Sequence, residues 1–364
     1  MKHRRGAFVL VVLAMFVSSV GVYAQKDKKQ DDAQKREIQS IVKIVDGMAA
    51  GQPAPNDLSA TWLREDYLKA QGNKQYVPFT VSLDPSKVGG GTVALYWRVV
   101  AKAAAAPAEP AAGTKKDDKK DKDADKKKPD YAYEDVAFVP VTAGQNPMRI
   151  SRSFTVPSGS FDVYVVVKEP AQEKAPKNAP PPKVSVFKQT LNVPDFWTND
   201  LTTSSVLVAQ RIDPLPAPLT PAQQADRPYA LGAMEIVPAY DMKMSKKSEL
   251  STFMLIYNTK VDAVTNKPNV LVEYNFCQLS AGAQPKPDEP CKAGEKFFNK
   301  TTPQSFNAST LPPQFDMAAG HQLQTGQAVP LASFPEGDYR LEIKVTDKVS
   351  SKIVARDVSF SVAP

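Results

Sequence analysis

The chain is poor in the side chains on which most enzyme chemistry depends. Its 364 residues hold two His and two Cys, and one of the histidines, His3, sits in the basic start of an export-type segment. A thiolate or imidazole catalyst, or a transition-metal site with nitrogen and sulfur ligands, lacks the residues to be built, and no cofactor is expected. Glycine is scarce at 17. Its main run, Val88-Gly89-Gly90-Gly91-Thr92, is not followed by Lys-Ser/Thr and so makes no phosphate loop. The remaining His321 lies in AAGHQLQTG and reads as a solvated surface imidazole, with no G-x-S-x-G turn anywhere to serve it. Ser40 and Lys43 have S-x-x-K spacing without the motifs that accompany it. The 39 acidic residues supply carboxylate pairs in any number, so a carboxylate-dependent hydrolase is the least favoured reading. Proline is in excess, with 32 residues, nearly double average usage.

The N-terminus has the three-part layout of a secretory signal peptide. Lys2, Arg4 and Arg5 precede an apolar run over 6–17, and Val22-Tyr23-Ala24 offers a small-residue exit before Gln25. Cleavage after Ala24 predicts a periplasmic or secreted chain with no stable membrane insertion. The formal charge is +7. Three of those charges leave with the signal and a net three more belong to the Lys/Asp run at 115–128, so the remainder is close to neutral. Nucleic acid is excluded as a partner, because no cluster of Lys and Arg with interleaved aromatics is present to read a phosphate backbone.

Four segments follow: a signal peptide over 1–24, a charged and helical arm over 25–75, and two β-sandwiches over 76–194 and 201–364. In the arm, Ile38, Ile41, Val42, Val45 and Met48 recur at three and four, the stripe of an amphipathic helix over 33–50. Asn56 or Asp57 would cap a shorter helix through Trp62, Leu63 and Leu68. After Tyr76 the period becomes two. YVPFTVSL (76–83), TVALYWRVV (92–100), EDVAFVPV (134–141), MRISRSFTV (148–156), FDVYVVVK (161–168) and VSVFKQTLNV (184–193) read as strands bounded by Pro, Gly and Ser turns, the signature of an antiparallel sandwich. The Ala/Pro and Lys/Asp segment at 101–130 interrupts the second and third of these as a disordered insertion at a hairpin tip, where loop closure costs little extra. Asp121, Asp123 and Asp125 imitate a calcium loop, but Lys126 replaces its Gly and Ala132 its Glu. The second half repeats the style, with runs at 203–210, 231–237, 250–258, 269–279, 296–299, around 329–334, 339–347 and 353–362.

One pattern occurs twice. Pro157-Ser158-Gly159-Ser160-Phe161-Asp162-Val163-Tyr164-Val165 and Pro335-Glu336-Gly337-Asp338-Tyr339-Arg340-Leu341-Glu342-Ile343 share P-x-G-x-aromatic-x-aliphatic-x-aliphatic. Each precedes one final strand, so the two sandwiches read as homologous copies. The second copy, with its closing hairpin through Thr346-Asp347-Lys348 and 357–362, resembles bacterial immunoglobulin-like and fibronectin-type modules. The run from Tyr229-Ala230-Leu231-Gly232 through Ile236-Val237-Pro238 into 250–257 is similar to sandwiches of secreted proteins carrying a G-W-x-T-D motif. Here the nearest stretch is Phe196-Trp197-Thr198-Asn199-Asp200, without the Gly or the register. The resemblance covers about 201–364 and implies an extracytoplasmic module with no named activity.

Cys277 and Cys291 flank a Pro-rich loop, and in an exported chain that spacing predicts a disulfide closing it. Tyr96-Trp97 and Tyr131, Tyr133 flank the insertion, and Phe196-Trp197 marks the join between sandwiches. They either fill core and seam or make the insertion end of the first sandwich a contact surface. The expected function is an exported, non-catalytic interaction or scaffold protein. It would meet another extracytoplasmic protein through sandwich surfaces and the stripe Ile38, Ile41, Val42, Val45 and Met48, unless that stripe is covered within the chain. Binding of an anionic envelope glycan through the Lys run is the alternative.

Overall fold

A computed structural model describes residues 19–102, 131–142, 144–171, 178–284, 286–287 and 289–364. The signal's basic start and apolar run, and nearly all of the insertion, lie outside the described residues; the expected cleavage point after Ala24 falls within helix α1 (Ser19–Ala49). The architecture is mainly β, in sheets that pair into two sandwiches.

The first sandwich is built from β1 (Thr61–Glu65), β2 (Leu68–Lys69), β3 (Gln75–Leu83), β4 (Thr92–Ala101), β5 (Tyr133–Pro140), β6 (Met148–Val156), β7 (Gly159–Lys168) and β8 (Val184–Val193). β1 and β2 run in succession along one edge of β3, and β6 along the other. The facing sheet has the order β5-β4-β7-β8. Every pairing is antiparallel. Alternation explains the core directly, since successive side chains of a strand point to opposite faces. Val93, Leu95, Trp97 and Val99 of β4 and Phe161, Val163, Val165 and Val167 of β7 turn inward onto Val77, Phe79 and Val81 of β3. β4 and β5 are adjacent partners, Thr92 opposite Pro140 and Val99 opposite Tyr133, which places the insertion between paired strands.

The arm differs from its sequence reading. Within the arm no second helix follows α1; Thr61–Glu65 is strand β1, because its backbone pairs with β3, and Asn56 Oδ1 accepts from Ala60 N–H at 2.8 Å to shape the turn before it. A five-residue apolar cluster carries too little period to separate an edge strand from a short helix, and the free edge of β3 decides.

The second sandwich contains β9 (Thr202–Thr203), β10 (Leu207–Pro214), the short helix α2 (Pro221–Asp226), β11 (Ala230–Leu231), β12 (Met234–Pro238), β13 (Lys243–Ser245), β14 (Glu249–Tyr257), β15 (Val270–Leu279), β16 (Glu295–Lys300), β17 (Gln304–Phe306), β18 (Leu323–Pro330), β19 (Gly337–Asp347) and β20 (Lys352–Ala363). One sheet runs β11-β12-β10-β14-β18 and the other β13-β20-β19-β15-β16, with β9 on β14 and β17 on β15. The expected strand around 329–334 is displaced: β18 ends at Pro330, and Leu331 and Phe334 are core residues of the turn that follows. α2 begins with a capping box between Thr220 and Gln223.

The two copies of the repeat are structurally equivalent. Gly159 and Gly337 open β7 and β19 at φ +140° and +141°, a region closed to residues with a Cβ. β7 lies between β4 and β8, as β19 lies between β15 and β20. One difference is chemical. Tyr339 donates its hydroxyl to Pro335 O at 2.8 Å, the tyrosine corner found in sandwich folds, whereas Phe161 has no hydroxyl to do so.

Candidate functional site

The apolar stripe of α1 is consumed within the chain. Ile41 and Val45 are fully buried against Ala94, Tyr96, Val166 and Val186, the outward residues of β4, β7 and β8, with Val42 and Met48 packed at the margin and Ile38 half-buried. Of the candidate interface Ile38, Ile41, Val42, Val45 and Met48, all but the half-buried Ile38 are therefore corrected to an internal contact. The sheet's outer face is itself apolar and would meet water without a lid. Two ion pairs fix the lid. Glu37 pairs with Lys168, both buried, and Asp46 Oδ1 accepts from Arg98 Nη1 at 2.7 Å. Arg98 also reaches Glu134 Oε1 at 3.1 Å and lies 4.0 Å from the Tyr131 ring. Tyr96 thus packs against the arm, and Tyr131 stacks on the arginine that pairs with it.

Cys277 on β15 is bonded to Cys291 in the loop before β16, with Cα atoms 5.7 Å apart. Closing a loop of that length contributes on the order of 3 kcal/mol in the chain-entropy account. Beside it, buried Arg340 donates to both Glu295 oxygens at 2.7 Å and to Asp357 Oδ1 at 2.8 Å. These hydrogen bonds hold Glu295 below its ordinary carboxylate value. Cys277, Cys291 and Glu295 form the one cluster of metal-type donors among the described residues, but the sulfurs bind each other and Glu295 is taken by Arg340. His321 is exposed in its loop, its Nδ1 accepting from Asp316 N–H at 2.9 Å.

The seam between the sandwiches is buried and specific. Leu68 of β2 and Phe196 of the connecting segment pack with Leu207, Ala209, Tyr229, Ile236, Phe253, Leu255 and Tyr257, the second face of the β10-β12-β14 sheet. Arg64 binds Asp66 through two hydrogen bonds, at 2.6 and 3.0 Å, and donates to Ala239 O at 3.1 Å. Tyr229 donates to Asp66 Oδ2 at 3.0 Å, and Tyr76 to Pro228 O at 2.9 Å. Burial raises the Asp66 carboxyl, against the pull of Arg64. Trp197, by contrast, stays 40% exposed with Lys69 Nζ 4.2 Å above its ring.

Two clefts open beside this seam. One, about 370 Å³, is lined by Arg149, Tyr240, Asp241, Lys243, Ser245 and Glu249 among others, and Arg149 stacks over Tyr240 at 4.6 Å. The second, about 330 Å³, runs between β5 and β6, which are edge strands of the two facing sheets among the described residues, and ends at Asp226 of α2. Trp97 and Tyr133 lie along it, their rings nearly parallel with centroids 6.4 Å apart. Arg152, largely buried, joins Asp226 at 3.0 Å, and Tyr133 donates to Asp135 Oδ2 at 3.3 Å. Burial, with the Asp135 charge, pushes the Tyr133 phenol up to about 12. Of the aromatics flanking the insertion, Trp97 and Tyr133 are the two that meet here. Arg152, Asp135 and Asp226 carry no motif, and only the facing of β5, β6 and α2 assembles them.

No protein-family model matches the chain, and no curated protein matches it. Among solved structures it is similar to Salmonella α2-macroglobulin reacted with methylamine, at 12% identity and a TM-score of 0.20, over 86% of this chain and 17% of that one. It is also similar to the native conformation of E. coli α2-macroglobulin, at 8% identity and a TM-score of 0.20, over 86% and 15%. The chain spans less than a fifth of either protein, and superpositions this loose carry no argument about it. Among the described residues no helix is long and apolar enough to cross a membrane.

Proposed function

We propose that the chain is an extracytoplasmic, non-catalytic binding module that presents sandwich edges and loops to another protein. The observation that supports this reading is the seam: Arg64, Asp66, Tyr229 and the cluster around Phe196 lock two sandwiches together. A fixed pair of sandwiches offers a preorganised surface, which lowers the ordering cost of association. The disulfide fits an oxidising compartment. Because α1 is occupied by its own sheet, the contact surface falls to the sandwiches.

The test is purification of the tagged full-length chain from its native envelope, with identification of a stoichiometric protein partner cross-linked through sandwich residues. The complex is expected to persist as salt rises. Retention that collapses with salt would favour the anionic-glycan alternative, since exposed charge contacts are screened. Substrate turnover that survives stringent repurification would overturn the non-catalytic reading.

A further inference from the structure

The duplicated fold carries its own control for the β5/β6 cleft. In the repeat, Val165 corresponds to Ile343. Val165 is paired across the sheet with Trp97, and Ile343 with Tyr274, so Trp97 and Tyr274 occupy the same place in the two sandwiches. In the second sandwich that place is satisfied. Tyr274 OH meets Thr325 Oγ1 of β18 at 2.8 Å, Thr325 donates to Gln304 Oε1 of β17 at 2.6 Å, and Gln304 donates to Gly326 O at 2.9 Å. Side chains thus bridge the two open strand edges. In the first sandwich no such hydrogen bond joins β5 to β6 among the described residues. Trp97, 2% exposed, has an indole N–H with no acceptor among them, and it lines the cleft left between the strands. A buried donor without a partner is costly, and Trp normally finds one.

The cleft has the shape of a strand's path. Its lining includes Tyr133, Asp135 and Ala137 from one face of β5 and Val136 and Phe138 from the other, so it follows the strand's backbone edge. Val141 N–H donates to Gly91 O, which assigns the odd-numbered residues of β5 to β4. The even-numbered residues turn their N–H and C=O groups to the open side, by the alternation of antiparallel ladders. There Val136 N–H is held by the carboxylate of Asp135 at 2.7 Å. Arg152 and Asp226 neutralise each other, leaving Asp135 as the unbalanced charge among the described lining residues.

We propose that this cleft binds an extended polypeptide segment of a partner protein. The segment continues the β5 edge, gives a main-chain carbonyl to Trp97 Nε1 and lays a basic side chain against Asp135, freeing Val136 N–H for the new ladder. Strand addition to an open edge takes its affinity from main-chain hydrogen bonds and its selectivity from alternate side chains. The proposal rests on the protein-binding reading above and specifies its surface.

The probe is a random peptide library displayed on phage and selected on the full chain, with the best binder then made synthetically. It is expected to carry Lys or Arg, to protect the amides of residues 134, 136 and 138 from hydrogen exchange, and to shift the indole N–H signal that Trp97→Phe removes. Asp135→Asn and Trp97→Phe are each expected to weaken it about tenfold or more. Asp135 is exposed, so its variant keeps the fold, and a melting curve accompanies the Trp97 variant. A library that yields no binder, a binder that protects other strands, or one that ignores both variants overturns the cleft. A native partner that holds both variants as tightly as the parent also overturns the cleft while leaving the binding-module reading intact; absence of any partner removes that reading instead.

Discussion

Replacing Ile41 and Val45 together by Asp tests how the N-terminal arm is held. Both side chains are fully buried on the outer face of the β4-β7-β8 sheet. Burying an aliphatic side chain of this size contributes about 1.5–3 kcal/mol, so the two supply about 3–6 kcal/mol of docking. Two carboxylates in their place must also be desolvated among Ala94, Tyr96, Val166 and Val186, which costs several kcal/mol more. The Asp46–Arg98 and Glu37–Lys168 pairs do not offset that loss, because an ion pair repays little beyond its own desolvation. The arm therefore leaves the sheet, while the cluster between the sheets, around Phe79, Leu95 and Val165, is untouched. Hydrogen exchange is the assay. Amides of residues 37–49 are expected to lose protection, with those of β3, β4 and β7 retaining theirs, since local opening follows local burial. Unchanged protection over 37–49, with an unchanged melting temperature, would refute the packing argument.

Arg340→Met strands Glu295 and Asp357 beside the disulfide and is expected to cost about 3–5 kcal/mol in a denaturant titration. Glu295 is held below its ordinary value of 4.5 by Arg340, so its contribution is present above that value and is lost as pH falls through the lower, folded value; the parent should lose this stability in acid, and the variant should lack that part of the acid limb. Tyr339→Phe removes the hydroxyl bonded to Pro335 O and is expected to cost about 1 kcal/mol by thermal melting. Gly326→Ala places a Cβ 2.3 Å from Thr252 O, a backbone atom of the neighbouring strand, and is expected to destabilise by about 1–3 kcal/mol or more; a neutral result would mean that β14 and β18 can separate freely.

Alternation along single strands was readable because each strand's two faces have different neighbours. TVALYWRVV and LSTFMLIY are apolar on both faces, and both prove to be buried twice: β4 between core and α1, β14 between core and seam. The repeat around Gly159 and Gly337 was readable because a positive φ demands glycine at one fixed place. The stripe of α1 was equally plain, but a stripe states only that something covers it, and the covering strands β4, β7 and β8 come much later in the sequence. β1 and β13 were not readable, since TWLRE and KMS carry no distinguishing period and owe their extended form to the open edges of β3 and β20.

The candidate site divides in the same way. Trp97 and Tyr133 stood out by residue type, while Arg152, Asp135 and Asp226 are ordinary surface residues until β6, β5 and α2 converge. Composition and local pattern by themselves determined the class of fold, the duplication and the loop closed by Cys277 and Cys291, because these depend on neighbours along the chain or on residue types too few to combine otherwise. Tertiary structure alone decided that the arm is a lid, that Arg64 and Asp66 meet Tyr229 across the seam, and that, among the described residues, one of two equivalent sandwich edges is bridged by side chains and the other is not. Each of those depends on which distant surfaces meet, and the free energy of burial is settled only when both surfaces are in place.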